Sequence, residues 1–423
     1  MGKGGEKATT VAGEKDAKPN WIKINGKFYD TSEFRHPGGN IVEMFYGLDG
    51  TTGFESFHGH NKKAEKFLAA LPELTEAPKE AAKQAEGHVE ATSAMIAKWK
   101  KEGLFEPRPV VSSLYGLCVV AAIVAAVLLA PKAPVLAGLL VGTAWAHCGF
   151  LQHMGGHREM GALSFGWQHF FEGLCKGGSA SWWRNRHNKH HAKTNVLGED
   201  GDLRTTPFFA WDATLAKKVP DWSLQTQAFT FIPALGAYVF IFAFTVRKFA
   251  VAKKLWLEVF LMVSHYALFA LGLFQCAGAS KTDAAVFYAT GYAFQGIYLG
   301  FFFGLSHFAV ERVPSEATWL ESSMCGTVDW SGGSAFAGYL SGFLNVQIEH
   351  HMAPQMPMEN LRKIRGDCKQ LALQFNLPYR EMNFYEAVKL MLGGLWTTGQ
   401  EELALRKSYV AAAAAVMDKL HAD

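Results

Sequence analysis

Five apolar stretches, each long enough to cross a bilayer as a helix, fill the middle of this 423-residue chain. They cover residues 110–130, 133–152, 225–246, 254–277 and 284–306. Polar segments lie before the first stretch and after the last. Because a membrane-spanning helix needs about 20 apolar residues, the pattern predicts a mainly α-helical membrane protein with soluble segments at both ends.

The segment before the first apolar stretch has the pattern of a small α+β domain. Trp21–Ile24 and Lys27–Tyr29 flank the pair Asn25-Gly26, which is a strong signal for a tight β-hairpin. Residues 76–108 are rich in Ala, Glu and Lys. They have helical propensity without an apolar face wide enough for a core, so we expect a helical linker there.

Composition agrees with a membrane protein. Apolar residues make up 49% of the chain and charged residues 19%, with the charge concentrated at the two ends, which argues against an ordinary soluble enzyme. The net charge of +3 gives no reason to expect a nucleic-acid partner. The polar start lacks the pattern of a cleaved signal peptide, so we expect a cytosolic N-terminus. The six scattered cysteines form no CxxC pair, and we expect no disulfide bond.

Seven histidines fall in three short clusters near the ends of apolar stretches. Histidines at positions i, i+3 and i+4 lie on one face of a helix, so each cluster can direct its imidazoles toward a common point. Three such faces hold more ligands than one metal accepts, which predicts a pair of metals. We prefer iron, since imidazole without cysteine suits iron as well as zinc, and a zinc hydrolase needs only three protein ligands and a water. The clusters are His153 and His157; His187, His190 and His191; and, after Gln347, His350 and His351.

The order of clusters and apolar stretches limits the topology. The first two clusters precede 225–246 and the third follows 284–306, so three crossings between them would place the third cluster on the wrong side. We therefore predict that 225–246 enters and leaves by one face or lies in the interface, while 254–277 and 284–306 form a hairpin. About four spanning helices then place all clusters and both termini in the cytosol. The basic segment Arg247–Lys254 fits the positive-inside rule.

A second candidate site lies in the N-terminal domain. His36 opens a His-Pro-Gly-Gly loop, and His60 follows in the sequence Phe57-His-Gly-His60. Two imidazoles on opposite sides of a flat pocket can bind haem iron and leave no open position, which suits electron transfer. The segment resembles cytochrome b5, and the resemblance implies haem b bound by His36 and His60. His58 is the competing second ligand, and a fold that has lost its haem is the alternative.

Over nearly its whole length, the chain resembles the membrane fatty-acid desaturases, specifically the front-end group that carries an N-terminal cytochrome b5 domain. The motifs HxxxH, HxxHH and QxxHH carry the resemblance, together with Trp182–Asn185 before the second motif. Gln347 in place of a histidine is the signature of the front-end group. The resemblance implies a catalytic site of two non-haem iron ions that includes Gln347. The implied iron ligands are His153, His157, His187, His190, His191, His307, His350 and His351.

The resemblance also implies the reaction. An O2-dependent oxidoreductase would insert a cis double bond into a long-chain polyunsaturated acyl substrate carried by coenzyme A or a phospholipid. Electrons would come from its own haem, reduced by NADH-cytochrome b5 reductase at the endoplasmic reticulum, and Δ5 or Δ4 positions are favoured over Δ6 or Δ8. The apolar helices and the aromatic stretch 161–183 would line the acyl tunnel. A sphingolipid long-chain-base desaturase and a non-catalytic, membrane-anchored electron carrier are the alternatives.

Two positions depart from the family. Met154 stands where an acidic residue usually follows the first histidine, and Phe308-Ala309 replace a common polar pair. A nearby acidic loop could supply the missing carboxylate or could be solvated. Its members are Glu199, Asp200 and Asp202.

Three other polar residues have simpler interpretations. His147 is expected to be a structural partner, and His265, in the middle of an apolar stretch, a core histidine with its hydrogen bonds satisfied. Glu349 is expected either to orient a metal ligand or to lie exposed.

The predicted order of segments follows from these patterns. It is a disordered N-terminus (1–20), a cytochrome b5-like domain (21–75), the linker (76–108), a membrane-bound desaturase domain (109–376) and a cytosolic tail (377–423). The predicted fold is therefore a mainly α-helical membrane protein, with a cytosolic helical cap over the diiron site and a small α+β domain at its N-terminus.

Overall fold

The computed structural model describes residues 19–59, 62–78, 84–308 and 310–422. The predicted haem ligand His60 and Ala309 lie outside these ranges, as do residues 1–18 of the predicted disordered N-terminus. The boundaries of the five predicted segments stay predictions. Within the described residues the chain is mainly helical, as predicted.

The α-helices are α1 (Thr51–His58), α2 (Lys62–Ala69), α3 (His88–Lys101), α4 (Pro109–Leu129), α5 (Pro134–Gly156), α6 (Ser164–His169), α7 (Ala180–Ala192), α8 (Ala213–Ala216), α9 (Asp221–Ala252), α10 (Trp256–Ala270), α11 (Lys281–His307), α12 (Trp319–Cys325), α13 (Ala335–Ser341), α14 (Gln347–Met352), α15 (Met358–Leu361), α16 (Arg365–Gln374) and α17 (Phe384–Ala422). The strands are β1 (Trp21–Ile24), β2 (Lys27–Asp30), β3 (Asp329–Trp330) and β4 (Glu381–Met382). Short 3-10 turns span Asn40–Phe45, Gly161–Leu163 and Gly201–Leu203, and π-helical turns span Phe170–Cys175 and Leu271–Cys276.

The predicted β-hairpin is confirmed. Strands β1 and β2 pair antiparallel, with Ile24 opposite Lys27. Asn25 and Gly26 both have positive φ angles, 51° and 79°, which is the geometry of the tight hairpin turn that this pair favours. A short parallel pairing of β3 with β4 ties the segment before α13 to the segment before α17.

Helix α3 differs from the linker that its sequence predicts. Ile96 and Trp99 are fully buried in the main hydrophobic cluster, and the Trp99 indole donates a hydrogen bond of 2.7 Å to Asp367 of α16. The apolar face of α3 is narrow, so its contribution to a core could not be seen in its own sequence. The partner that completes the core lies more than 250 residues away along the chain.

The membrane body is built on close packing of α5 against α11. A side-chain Cβ at Gly142 would lie only 2.6 Å from the backbone oxygen of Gly291, so small residues allow the two backbones to touch. Contacts from Gly138 with Phe287 and from Gly149 with Leu299 show that the helices run parallel. Both therefore bring their C-terminal ends, with their histidines, to the same end of the bundle.

Within the part of the chain that the structure describes, four helices are long and apolar enough to cross a membrane: Pro109–Leu129, Pro134–Gly156, Asp221–Ala252 and Trp256–Cys276. The number agrees with the prediction, but the set includes α9 and omits α11, which carries tyrosines and a glutamine among its apolar residues. We predicted that 225–246 either turns back within one face or lies in the interface. The first alternative is wrong, because α9 is one continuous helix of 32 residues.

Contacts at the ends of α9 favour its alternative, a position in the interface. Near its start, Phe231 packs on Phe308, directly after α11. The C-terminal end of α9 lies a few residues before Glu258 of α10. Glu258 accepts a hydrogen bond from the backbone nitrogen of Ser181 at the start of α7. Both ends of α9 therefore lie toward the end of the bundle that carries the histidines. Helices α10 and α11 form the predicted hairpin, open at that end.

Helix α17 is the last helix of the chain. The predicted cytosolic tail contains this single long helix, of which Ala387, Met391 and Leu395 are fully buried. It packs along α9 and contacts α11. The beginning of the tail is thus part of the wall around the membrane body.

Candidate metal centre

Five buried histidines from three helices converge on one point. Nε2 of His191 lies 3.0 Å from Nε2 of His187 and 3.1 Å from Nε2 of His350. Nε2 of His153 and of His157 is buried without a hydrogen-bond partner in the described residues. Unpartnered ring nitrogens so close together are costly unless a cation binds between them, so this donor set fits a metal ion. The five-histidine group is His153, His157, His187, His191 and His350, with ligand atoms within 4.8 Å of one another.

Three further histidines form a second group, the three-histidine group of His190, His307 and His351. Asp200 accepts from Nδ1 of His190 at 2.9 Å, and Nε2 of that ring has no partner in the described residues. The two groups adjoin, because His191 of the first stacks on His351 of the second with ring centroids 4.1 Å apart. The arrangement can therefore hold two neighbouring metal ions.

The remaining two rings of the three-histidine group also have hydrogen-bonding neighbours. Thr194 donates its hydroxyl to the backbone oxygen of His190 at 2.9 Å and so accepts from Nδ1 of His351 at 3.0 Å. This leaves Nε2 of His351 free to bind a metal. The side chain of Gln347 lies 2.8 Å from Nε2 of His307. Gln347, which the sequence places in the catalytic site, thus touches the three-histidine group.

Helix geometry explains how consecutive histidines reach different groups. His187 and His191 are one turn apart on α7 and join the same group, while His190 points about 100° away from His191 and joins the other. His350 and His351 are divided in the same way on α14. The N-terminus of α7 is capped by Ser179, which accepts from the backbone nitrogen of Trp182.

Burial keeps most of these imidazoles neutral. Burial first, and neighbouring histidines second, hold the pKa of His187, His191, His350 and His351 well below the usual value. Neutral imidazole is the form that binds metal. Burial also opposes charge on His190, but the Asp200 carboxylate outweighs it and raises the pKa of that ring.

Asp200 is the residue of the acidic loop that accepts a hydrogen bond from His190. It is 1% exposed and also accepts from the backbone nitrogens of Asn195 and Asp202. Asp202 pairs mainly with Arg186 and stands 3.6 Å from His190. Asp200 is therefore not part of a solvated loop, and it serves the three-histidine group. Met154 packs in the apolar cluster and offers no polar group to the five-histidine group.

Glu349 is buried, which rules out the exposed alternative. It accepts from the Tyr379 hydroxyl at 2.8 Å, and burial together with Asp329 raises its pKa well above the usual value. His147 meets the Tyr115 hydroxyl at 2.5 Å and His265 meets the backbone oxygen of Leu174 at 3.0 Å. These contacts agree with structural roles, although Nε2 of His265 has no partner in the described residues.

An apolar cavity of about 660 Å³ opens beside the five-histidine group, with His153 and His187 in its wall. Its size is typical of pockets for small ligands. The stretch 161–183, which we expected to line the tunnel together with the apolar helices, contributes residues to the wall, among them Trp182 and Trp183. Most of the wall comes from α9 and α11. The role of α9 was missed because an apolar helix facing a cavity has the same composition as one facing lipid.

The N-terminal domain places His36 opposite His58. Their ring centroids are 5.8 Å apart, and Phe54 flanks His58. A Cβ at Gly38 would lie 2.7 Å from Cε1 of His36, so the first glycine of the loop makes room for the ring. Burial lowers the pKa of His58 to about 4. Two neutral imidazoles facing each other fit a haem between them, and His60, the preferred second ligand, is outside the described residues.

Profiles of two known families match this chain. The profile of the family described as "Fatty acid desaturase" matches residues 94–383, and that of the "Cytochrome b5-like Heme/Steroid binding domain" matches residues 7–75. The chain is 28% identical to the acyl-lipid (8-3)-desaturase of Thraustochytrium sp over 94% of its own length and 98% of the relative. It is 31% identical to the acyl-lipid (8-3)-desaturase of Rebecca salina over 87% and 88%. It is 27% identical to the Delta(8)-fatty-acid desaturase of Helianthus annuus over 88% and 87%.

Proposed function

The chain belongs to the fatty acid desaturase family and carries a cytochrome b5-like domain, and from that premise we propose that it is a front-end desaturase of long-chain polyunsaturated acyl chains that uses O2 and electrons from its own haem. One observation carries the proposal. Two histidine groups adjoin, and the five-histidine group contributes His153 and His187 to the wall of an apolar cavity. A centre that hydrolyses a polar bond would not need an electron-carrying domain, even where it holds two metal ions.

In this proposal, one iron ion is held by the five-histidine group and a second by the three-histidine group with Gln347 nearby. Haem b is held by His36 with His60 or His58. Imidazole donors without cysteine are compatible with iron. The bound irons would supply the O2 chemistry that an unactivated C–H bond requires. For each double bond, one O2, two electrons and two protons are consumed, two C–H bonds break and two water molecules form.

The chain's own residues bind and position the substrate. The cavity walls from α9 and α11 would hold the acyl chain, exclude water and lay one segment of it against His153 and His187. Trp183 stacks on His187 with centroids 4.2 Å apart and fixes the plane of that ring. The distance from this point to the cavity end near Arg247 and Tyr292 would set which carbons face the centre.

We further propose a Δ5 or Δ4 position over Δ6 or Δ8, with the new double bond between an existing one and the carboxyl end. Relatives named for position 5 and for position 8 have similar identity to this chain, so the position must be measured. The acyl carrier is coenzyme A or a phospholipid, and the term acyl-lipid in the names of two relatives supports the phospholipid.

The protein is an integral membrane protein. We propose the endoplasmic reticulum as its location, with the metal centre and both termini in the cytosol, where NADH-cytochrome b5 reductase can reduce the haem. Lys248 near the end of α9, and Lys253 and Lys254 directly after it, support a cytosolic position for that end.

Feeding defined polyunsaturated acids to yeast that expresses the chain tests the proposal. Gas chromatography of derivatised lipids should show a new cis double bond on the carboxyl side of an existing one, and His350→Ala should abolish it. A modified long-chain base with no new fatty acid would favour the sphingolipid alternative. Purified protein with haem iron but no non-haem iron would rule out catalysis.

A further inference from the structure

The cavity beside the five-histidine group has one polar end, although most of its wall is apolar. Lys176 and Glu172 stand in the wall there, and Nζ of Lys176 donates to Oε2 of Glu172 at 2.6 Å. The two side chains are only 12% and 6% exposed. Both lie close enough to Tyr292 for their charges to act on its hydroxyl. The ion pair therefore belongs to the end of the cavity where Arg247 and Tyr292 lie.

Stability alone does not explain this ion pair. Taking two charges out of water can cost more than their attraction contributes, so apolar side chains of similar volume would stabilise the same wall equally well or better. The loop after Glu172 is nevertheless shaped to hold it. The backbone nitrogen of Gly178 donates to the backbone oxygen of Glu172 at 2.7 Å, and a Cβ at Gly178 would collide with Oε1 of Glu172. The glycine thus makes room for the carboxylate, and the carboxylate holds the ammonium of Lys176 at the cavity.

Polar atoms at this end are available to a ligand. The ammonium of Lys176 has three donors, and within the described residues one of them bonds Glu172. Gln295, about one turn after Tyr292 on α11, stands in the same wall and is 4% exposed. Its Oε1 has no hydrogen-bond partner in that part of the chain. The methyl end of an acyl chain would leave these polar atoms unsatisfied, which is costly, so this end of the cavity suits the polar end of the substrate.

The position of Lys176 fits an enzyme that counts carbons from the carboxyl end. Nζ of Lys176 lies 3.6 Å from where a Cβ of Gly149 would stand, and Gly149 and His153 both line the cavity. These two positions on α5 are about 6 Å apart along the helix axis. About five carbon–carbon bonds of ~1.5 Å cover a similar distance in a zigzag chain. A carbonyl group at Lys176 would therefore bring the carbons about five bonds away beside His153.

We propose that Lys176 binds the acyl carbonyl oxygen of the substrate, whether ester or thioester, and so fixes the carboxyl end of the chain at this end of the cavity. The inference rests on the proposed function and adds to it the residue from which carbons are counted. Lys176 donates the hydrogen bond, and Glu172 holds its ammonium in place. Lys253 and Lys254, exposed directly after α9, suit the anionic part of the carrier beyond the carbonyl.

Binding of two matched lipids tests the carbonyl contact. The full chain in detergent micelles is given a long-chain polyunsaturated methyl ester or the methyl ether of the same chain, which lacks only the carbonyl oxygen. Displacement of a radiolabelled ester measures both affinities. The wild type should bind the ester at least about tenfold more tightly, the effect of a hydrogen bond to a charged group. Lys176→Met should bind the two lipids equally, with its affinity for the ether unchanged.

Two further variants separate this role from a structural one. Lys176→Arg keeps a charged donor and should keep the preference for the ester. Lys132→Met, which changes an exposed lysine after α4, is the matched control and should bind as the wild type does. Equal weakening of both lipids in a Lys176→Met protein that keeps its non-haem iron would overturn the proposal. Equal affinities in the wild type would overturn it as well, and that comparison needs no variant to fold.

The position of the product double bond gives an independent readout. Yeast that expresses the wild type should form a new double bond at one position of a fed polyunsaturated acid. Lys176→Met should form products with two or more positions, because its acyl chain can slide along the cavity. An active Lys176→Met protein with the single wild-type position would contradict the proposal. If the wild type forms no new double bond, the proposed function fails instead.

Discussion

The two histidine groups differ in how their rings are held. In the five-histidine group, ring nitrogens face each other, and Nε2 of His153 and of His157 has no partner in the described residues. In the three-histidine group, each ring has a polar neighbour, namely Asp200, Thr194 or Gln347. The five-histidine group therefore has more possible ligands, and the three-histidine group has more polar neighbours that can orient its ligands. The smaller group should be the more sensitive to any single change.

The difference arises from helix geometry and not from different motifs. The second and third motifs each supply both groups, because adjacent positions on a helix point about 100° apart. Only the first motif serves a single group, and it is the one with Met154 in place of an acidic residue. The first motif lacks a carboxylate. The carboxylate of Asp200 instead contacts His190 of the three-histidine group.

The largest expected effect is loss of a ligand from the smaller group. His307→Ala should release one of two non-haem iron ions and lower product formation by more than ~100-fold, beyond what a residue that only orients a ligand contributes. His157→Ala leaves four imidazoles in its group and should retain more iron. Metal analysis of both purified variants measures this. Equal iron loss from the two would contradict the proposed asymmetry.

Removing the charge of Asp200 should have the next largest effect. Asp200→Asn should weaken iron binding at the three-histidine group by about 10–100-fold, because the partner of a metal-binding imidazole sets its orientation and basicity. Iron retention against a chelator measures the loss. Asp202→Asn is the matched control and should lose less, since Arg186 is the main partner of Asp202. The reverse order would mean that Asp202 is the operative carboxylate.

Gln347 should have an intermediate effect. Gln347→Ala removes the neighbour 2.8 Å from His307 and should lower iron retention by about tenfold. Gln347→His adds an imidazole and should restore iron retention, whether or not activity returns. If Gln347→Ala keeps its iron and loses only activity, Gln347 acts on substrate and not on the three-histidine group.

The smallest effect is expected at Thr194. Thr194→Val keeps the shape but removes the acceptor for Nδ1 of His351, so iron retention should fall by about fivefold or less, as for one ordinary hydrogen bond. Thr143→Val, which changes a half-buried threonine whose hydroxyl bonds to a backbone oxygen of the same helix, provides the baseline. A loss as large as that of Asp200→Asn would show that the charge of Asp200 contributes little.

Local patterns predicted much of the fold. The Asn25-Gly26 turn and the five apolar stretches correspond to a hairpin and five long helices, because turn chemistry and apolar length act on neighbouring residues. The burial of Trp99 was not predicted, because the residues that cover it come from α16. The prediction that 225–246 turns back within one face was also wrong. Apolar composition does not distinguish a segment that turns back within one face from a continuous helix that lies in the interface.

The sequence by itself determined which residues could bind metals and haem, since imidazoles at helical spacing and a His-Pro-Gly-Gly loop are local features. The packing of distant segments decided that His190 and His191 serve different groups, that Asp200 accepts the hydrogen bond from His190, and that Gln355 reaches the haem-ligand loop. These outcomes depend on distances between segments far apart in the chain. Such distances are set by how helices pack, and above all by the close, parallel contact of α5 with α11, which brings the histidines to one end of the bundle.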